Sequence, residues 1–482
     1  MKVNNALALF AWVLSATATP TTPRRQAAVT STTTSLKPSS IGPRPRWLVQ
    51  NMDASPLKDQ LTTCLDNPQM GYTPHPFSIG HRGACQQFPE HTYESYMAAI
   101  EMGAGIVECD VAVTKDGELV CRHDQCDLHT STNIVDTPLA AKCTIPWNAS
   151  NTVDPGKSGN VKCCTSDITL AEFKTLKGKM DGATASATSA TAYMAGTAKW
   201  RTDLYSPGKL VTHKESIELI KKYGRKCTPE LKKYTPGTGM PTYDAIRAKL
   251  VKEYTDLNFP ASDVFFQSFE MPDIEWMIKN APDFGKQAVY LDDAYCDGTS
   301  GTQAGTPGLD PETTRGCKNA AAVDGGGDKS PFVDGFDKLK AKGVNYIAPP
   351  MQMLLKADNG KYAPSEYAIA AKAAGLKIIT WTFERAGPLA SGGGWYFGTV
   401  NAITNNDGDM YELLHVLSKD VGIEGMFSDW PASVTFYANC VKAPSTCGNA
   451  AASALNSAST IISASTIISG VLALLSSSFI LF

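Results

Sequence analysis

Residues 213–233, HKESIELIKKYGRKCTPELKK, carry a helical pattern over 213–223 and, after one glycine, a strand candidate over 225–233. The same pairing recurs on both sides. Strand candidates stand at 77–80, 105–114, 119–123, 225–233, 263–269, 287–292, 344–348, 377–383 and 425–428. Helical patterns lie between most of them, at 92–102, 213–223, 243–254, 334–342, 365–374 and 410–419. Alternation sustained over this length predicts a parallel sheet with helical crossovers. About eight such units, without the glycine-rich first turn of a doubly wound sheet, predict an α/β fold of the closed (β/α)8 barrel kind. Two irregular insertions break the rhythm: 125–212, containing cysteines and TASATSATA, and 294–333, with Gly and Asp clusters. Long irregular segments in a compact domain serve as lids or covers. Neither has the apolar residues for an independent core.

Outside the barrel the chain reads as processing signals. Met1-Lys2, the apolar run ALALFAWVLSA and Ala16-Thr17-Ala18 make residues 1–18 a signal peptide. Residues 19–70 are expected to be a disordered leader or linker, Ser/Thr/Pro-rich at first and carrying the dibasic pair Arg24-Arg25. The barrel is assigned to 71–440. Residues 441–482 read as a linker of small residues followed by the uncharged apolar tail TIISGVLALLSSSFILF, the pattern of a glycosylphosphatidylinositol (GPI) anchor signal. Asn449 and Asn456 are candidate attachment residues. The expected location is the outer face of the plasma membrane or the cell wall, with the membrane reached through the lipid anchor.

Composition agrees with a secreted globular protein. The 482 residues are 43% apolar and 19% charged, with a net charge of −3, which removes any global basic field for nucleic acid. Thirteen cysteines without zinc-type spacing suit an oxidising compartment. Cys440 with Cys447 and Cys296 with Cys317 bracket loops and are expected to pair; the count is odd, and Cys109, in a core-like run, is the expected free thiol. Asn148-Ala149-Ser150 is a glycosylation sequon. Gly156-Lys157-Ser158 lacks the upstream glycine of a phosphate loop.

Three segments carry candidate chemistry. In Gly105–Asp124, GIVECDVAVTKDGELVCRHD, Asp116-Gly117 predicts a two-residue hairpin turn. Glu108 and Asp110 share a face, and that turn sets Asp110 opposite His123. Two acids in a core-like strand repel each other and lose hydration. One divalent cation compensates both, and oxygen ligands favour a hard ion, Mg²⁺ or Ca²⁺. Phe77–Ala84, FSIGHRGA, delivers His81 for proton transfer and Arg82 for a phosphate oxygen to the C-terminal end of a strand. Pro89-Glu90-His91-Thr92 follows, with Thr92 as helix N-cap. In TPELK, residues 228–232, Glu230 and Lys232 share a face, an acid for the cation and a cation for the phosphate. His75, His91, His129, His213 and His415 have no evident partners and read as surface or capping residues. Gly392–Gly394 reads as a flexible loop near the barrel mouth.

HRGA with PEHT, then VECDVAVTKDGELVCRHD, then PELK, together with QSF at 267–269, WTF at 381–383 and GIEGMFSDWP at 422–431, resembles the glycerophosphodiester phosphodiesterase family over residues 77–435. The likeness is greatest to fungal extracellular members with a large insertion after the second histidine. It implies a metal-dependent hydrolase releasing glycerol 3-phosphate and an alcohol from a small glycerophosphodiester. It further implies His81 and His123 as the general acid–base pair, with which is acid and which is base left open, Glu108, Asp110 and Glu230 around the metal, Arg82 and Lys232 on the phosphate, and Glu90 supporting them. His91 stands where the family has asparagine, and His129 where it has arginine. Two rival readings are a phospholipid-directed phosphodiesterase of the related sphingomyelinase D type and a non-catalytic anchored cell-wall barrel.

Overall fold

A computed structural model describes residues 39–148, 161–237, 239–292, 331–391 and 393–442, and the structural statements concern these. The strands are β1 (His75–Gly80), β2 (Ala104–Val113), β3 (Leu119–Cys121), β4 (Lys226–Leu231), β5 (Gln267–Ser268), β6 (Val289–Leu291), β7 (Tyr346–Ala348), β8 (Lys377–Phe383) and β9 (Gly425–Ser428). β1 pairs in parallel with both β2 and β9, and pairing runs on through β8, β7, β6, β5 and β4 back to β2. Eight parallel strands therefore close a (β/α)8 barrel, with β3 antiparallel on β2. All ten residues of β2 are buried, as expected of a strand with the lumen on one face and helices on the other.

The crossover helices are α3 (Tyr93–Glu101), α4 (His213–Lys222), α5 (Tyr243–Asp256), α6 (Met271–Asn280), α7 (Pro331–Ala341), α8 (Glu366–Ala373) and α9 (Asp409–Val416), with α10 (Pro431–Tyr437) after β9. The side-chain hydroxyls of Thr92, Thr212, Thr242 and Ser365 each accept a backbone N–H bond at the start of α3, α4, α5 and α8. Ile79, Ile106, Val289, Ile379 and Phe427 fill the lumen. The outer strand faces meet the helices: Val107 and Val111 pack with Tyr96, Ile217 and Ile220, and Ile378 and Met426 with Leu413 and Val434.

Order begins earlier than the sequence suggests. Within the expected leader, α1 (Arg44–Asn51) and α2 (Pro56–Asp66) form, and Leu48, Val49, Leu57 and Leu61 join the core beside α9 and α10. Proline in the first turn and the Ser55 N-cap start α2. Arg44 reaches the buried Glu384 at 2.8 Å. Composition in this stretch hid an amphipathic pair whose apolar face only the barrel completes.

The cysteine expectations need correction. Cys440 pairs with Cys64, not Cys447, and Cys109 is no spare thiol but pairs with Cys121. Adjacent β2 and β3 bring the latter Cα atoms to 5.2 Å, within disulfide reach. Cys126–Cys164 and Cys143–Cys163 tie the 125–212 insertion. Its Leu128, Ile134, Phe173 and Tyr193 pack with Ala112 and Val120 of the hairpin, so its core is continuous with the barrel. Cys85 and Cys227 are buried free thiols. Cys296, Cys317, Cys447, Gly156-Lys157-Ser158, Asn449, Asn456, the signal peptide, the apolar tail and nearly all of 294–333 lie outside the described residues. No described helix is long and apolar enough to cross a membrane.

Candidate active site

The ends of β1, β2 and β4 bring the predicted residues together. β2 runs in register with β4 so that Asp110 lies opposite Glu230. Glu108, Asp110 and Glu230 are all buried, with ligand oxygens within 4.8 Å of one another. The Arg82 backbone N–H donates to Glu108 Oε2 at 2.9 Å, and Gln267 Nε2 donates to Glu108 Oε1 at 2.8 Å. Lys232 Nζ donates to Glu230 Oε1 at 2.6 Å. Arg82 Nη1 donates to Glu90 Oε2 at 2.8 Å, and its Nε lies 3.7 Å from Asp110.

The loop after β1 is turned back sharply. Arg82 and His91 both sit in the left-handed region, with φ of 55° and 53°, and their backbones are joined by a 3.0 Å bond from His91 N–H to Arg82 O. Gly83, at φ 94°, has no room for a side chain, since a Cβ there would lie 2.6 Å from the Ser95 carbonyl carbon. Left-handed non-glycine residues cost energy and concentrate at functional sites.

His81 Nδ1 lies 2.6 Å from Asp429 Oδ1, and Arg385 Nη1 donates to Asp429 Oδ2 at 2.9 Å. Burial would raise the Asp429 pKa, but Arg385 and His81 hold it far below the usual carboxylate range. An ionised Asp429 requires the His81 proton on Nδ1, leaving Nε2 an acceptor, 3.9 Å from Glu108. Burial and the neighbouring Arg82 push the His81 pKa down to about 4, so the imidazole is neutral at pH 7. His123, partly open to solvent, makes no hydrogen bond to a described residue. Burial, Arg82 and Lys232 lower its pKa as well.

The hairpin register differs from expectation by one residue. Val113 pairs with Leu119, and Arg122, not His123, lies across from Asp110. The turn spends three residues, 115–117, with Gly117 left-handed at φ 78°, instead of two. His123 instead lies past the end of β3, and the Cys109–Cys121 bond clamps its strand beside the acids.

The histidines expected at the surface all have partners. His91 is fully buried, with Nε2 2.8 Å from Asp110 Oδ2 and Nδ1 2.9 Å from the Tyr96 hydroxyl. His129 lies 2.7 Å from the Tyr193 hydroxyl, His213 2.8 Å from Glu253, and His415 3.0 Å from the Tyr437 hydroxyl. His75 Nδ1 accepts from the Phe77 N–H at 3.0 Å. Buried ring nitrogens must be satisfied, and sequence spacing does not reveal by whom. Sequence reasoning also missed Asp429, Gln267 and Arg385 as members of the site. For Asp429 a signal existed, since it follows the lumen residue Phe427 by two and so shares its face.

The donor set fits a hard divalent cation. Asp110 Oδ1 and Gln267 Oε1 are buried without hydrogen-bond partners. Burial, then Asp110 and Glu230, drive the Glu108 pKa well above normal, and Glu230 is pushed up to about 7, chiefly by burial. Asp110 stays ionised because Lys232 and His91 outweigh its burial. Oxygen donors with two acids held above their normal pKa are a place where positive charge is missing.

Known proteins share this arrangement of sequence. A model of the glycerophosphoryl diester phosphodiesterase family matches residues 81–309. An Arthroderma benhamiae protein named "Extracellular protein" is 37% identical over 272 residues, 54% of this chain and 99% of that one. A glycerophosphodiester phosphodiesterase of Arabidopsis thaliana is 36% identical over 107 residues, 22% of this chain but only 27% of its own length. Among solved structures, an Oleispira antarctica phosphodiesterase in complex with sn-glycerol-3-phosphate aligns with 17% identity and a TM-score of 0.41, covering 76% of this chain and 96% of that one. On the family match and the relative aligned almost end to end, the chain belongs to the glycerophosphoryl diester phosphodiesterase family.

Proposed function

We propose that the chain hydrolyses glycerophosphodiesters to glycerol 3-phosphate and an alcohol with the aid of one divalent cation, Mg²⁺ or Ca²⁺. The observation that carries this reading is the convergence of three buried acids, one with an unpartnered oxygen, beside a His81 imidazole oriented by Asp429. Glu108, Asp110 and Glu230 hold the cation, which when bound neutralises phosphate charge and stabilises what builds on its oxygens. Arg82, oriented by Glu90, and Lys232 bind the non-bridging oxygens. His81 Nε2 takes the proton of the nucleophile, either water or the neighbouring glycerol hydroxyl. His123 gives a proton to the leaving alcohol oxygen as its bond to phosphorus breaks. The seated anionic diester offsets Arg82 and Lys232, which after burial lower the His123 pKa in the free protein.

Release of glycerol 3-phosphate from a panel of glycerophosphodiesters, in Mg²⁺, Ca²⁺ or EDTA, tests the reading. Chelator-sensitive release is expected. Hydrolysis confined to sphingomyelin or lysolipid, or none at all, overturns it. The same proposal includes secretion, glycosylation at Asn148, and GPI attachment at Asn449 or Asn456; the name of the Arthroderma relative agrees with an extracellular site. Release from intact cells by a phosphatidylinositol-specific phospholipase is the corresponding check.

A further inference from the structure

The three acids, Arg82 and Lys232 stand on and after β1, β2 and β4, Asp429 and Arg385 follow β9 and β8, and a group of rings stands on and after β5 and β8. Phe269 follows β5 and lies two residues beyond Gln267, the side chain that reaches Glu108. Trp381 of β8 lies two residues beyond the lumen residue Ile379 and packs with the same lumen cluster. It is partly open while its neighbours Thr380 and Thr382 are buried. Gly393 and Gly394, left-handed at φ 77° and 64°, turn the chain so that Trp395 and Tyr396 join them. Ring centroids lie 6.1 Å apart for Phe269 and Trp381, 5.8 Å for Trp381 and Trp395, and 4.9 Å for Trp395 and Tyr396. The Trp381 indole N–H is committed to the Ala348 carbonyl at 2.8 Å, which fixes the ring. Trp395 remains 43% exposed, the most open of the four rings. Tyr396 also packs on the lumen ring, its centroid 6.3 Å from that of Trp381.

We propose that Phe269, Trp381, Trp395 and Tyr396 form a subsite for a quaternary ammonium group, so that the preferred substrates are phosphodiesters of choline-type alcohols. The inference rests on the phosphodiesterase reading above and names the alcohol that it leaves open. Ring faces attract a cation through their quadrupoles, and quaternary ammonium recognition by aromatic cages is the general case of this chemistry. The four side chains offer no hydrogen-bond acceptor beyond the Tyr396 hydroxyl. A primary ammonium or a polyol seated against the rings gives up part of the hydration of its donors, a cost a trimethylammonium, which has no donors, does not incur.

Two measurements on the full chain test this, in wild type and Trp395→Ala, whose exposed position spares the core. First, tetramethylammonium is titrated against tryptophan fluorescence. Saturable binding is expected in wild type, weakened about tenfold in the variant. Second, kcat/KM is compared for glycerophosphocholine and glycerophosphoethanolamine. A wild-type preference of about tenfold for the choline diester is expected, collapsing toward one in Trp395→Ala. Absence of tetramethylammonium binding, no wild-type preference, or a preference unchanged in the variant overturns the subsite. A wall that responds to alkyl chains more strongly than to tetramethylammonium is an acyl site, which also overturns it. Should wild type bind tetramethylammonium yet hydrolyse no diester, the phosphodiesterase reading fails and the subsite stands.

Discussion

The lumen holds two layers supplied by the same strands, and they differ in kind. The lower layer, with Ile79, Ile106, Phe265, Ile379 and Phe427, is apolar and packed. Two residues further along the chain from each stand His81, Glu108, Gln267, Trp381 and Asp429, on the same face because side chains alternate along a strand. The lower layer is stabilised by leaving water. The upper layer gives up hydration and recovers it incompletely, with Arg82 Nε, Asp110 Oδ1 and Gln267 Oε1 all buried and unpartnered. Stability and reactivity are therefore divided by height along one strand, and substitutions in the two layers should separate them.

The largest expected effect is at the active-site end, at His123, which follows β3 next to the acids of the upper layer. His123→Ala should lower kcat for a glycerophosphodiester by about 10²–10⁴-fold, the usual contribution of a general acid or base. His123 makes no hydrogen bond to a described residue, so the thermal midpoint should hardly move. Turnover above a tenth of wild type, or a large loss of stability, breaks the division. The lower layer should answer in the opposite way. Ile106→Ala empties part of a packed lumen and should cost about 2–4 kcal/mol in urea unfolding, with kcat of the folded fraction nearly retained. A cost under about 1 kcal/mol, below the usual range for such truncations, means that the layer is not the support it is taken to be.

A smaller effect sharpens the comparison within the upper layer. Asp429→Asn preserves shape, but its amide can donate to His81 Nδ1 and so move the ring proton to Nε2, the wrong tautomer for a base. We expect kcat to fall by about 10²-fold with KM little changed, as tautomer control is worth at least that in related imidazole systems. A variant that raises KM alone places Asp429 in binding instead.

The strand candidates were readable because each is an apolar run beside a helical pattern, and every one contributes to the nine-stranded sheet. Their limits were less so: β5 covers 267–268 where 263–269 was expected, since 261–263 coil into a short 3₁₀ turn. Glu108 with Asp110, and Glu230 with Lys232, could be paired by alternation alone. Asp429 could not be tied to His81, because 348 residues separate them and only closure of β9 onto β1 brings them together. Cys64 and Cys440, 376 residues apart, were hidden for the same reason. His91 was obscured differently: its approach to Asp110 depends on two left-handed residues that no spacing rule predicts.

The smallest effect has an unusual sign. Glu108 is buried with Asp110 and Glu230, which raise its pKa after burial itself, so in EDTA the three acids work against the fold. In Glu108→Gln the new carbonyl keeps the bond from the Arg82 N–H. The new amide can donate to Gln267 Oε1, now unpartnered, once the Gln267 side chain rotates. Gln267 Nε2 then takes the unpartnered position that Oε1 held, so the number of orphaned atoms is unchanged, and a carboxyl whose ionisation its neighbours oppose is gone. Burial and two neighbouring acids oppose ionisation of Glu108, and the amide is free of that cost, so the melting temperature in EDTA should rise by roughly 2 °C. Added Mg²⁺ or Ca²⁺ should raise the melting temperature of wild type by mass action and that of the variant much less. A variant that melts lower than wild type in EDTA contradicts mutual repulsion among the acids, and with it the need for a cation at this end of the barrel.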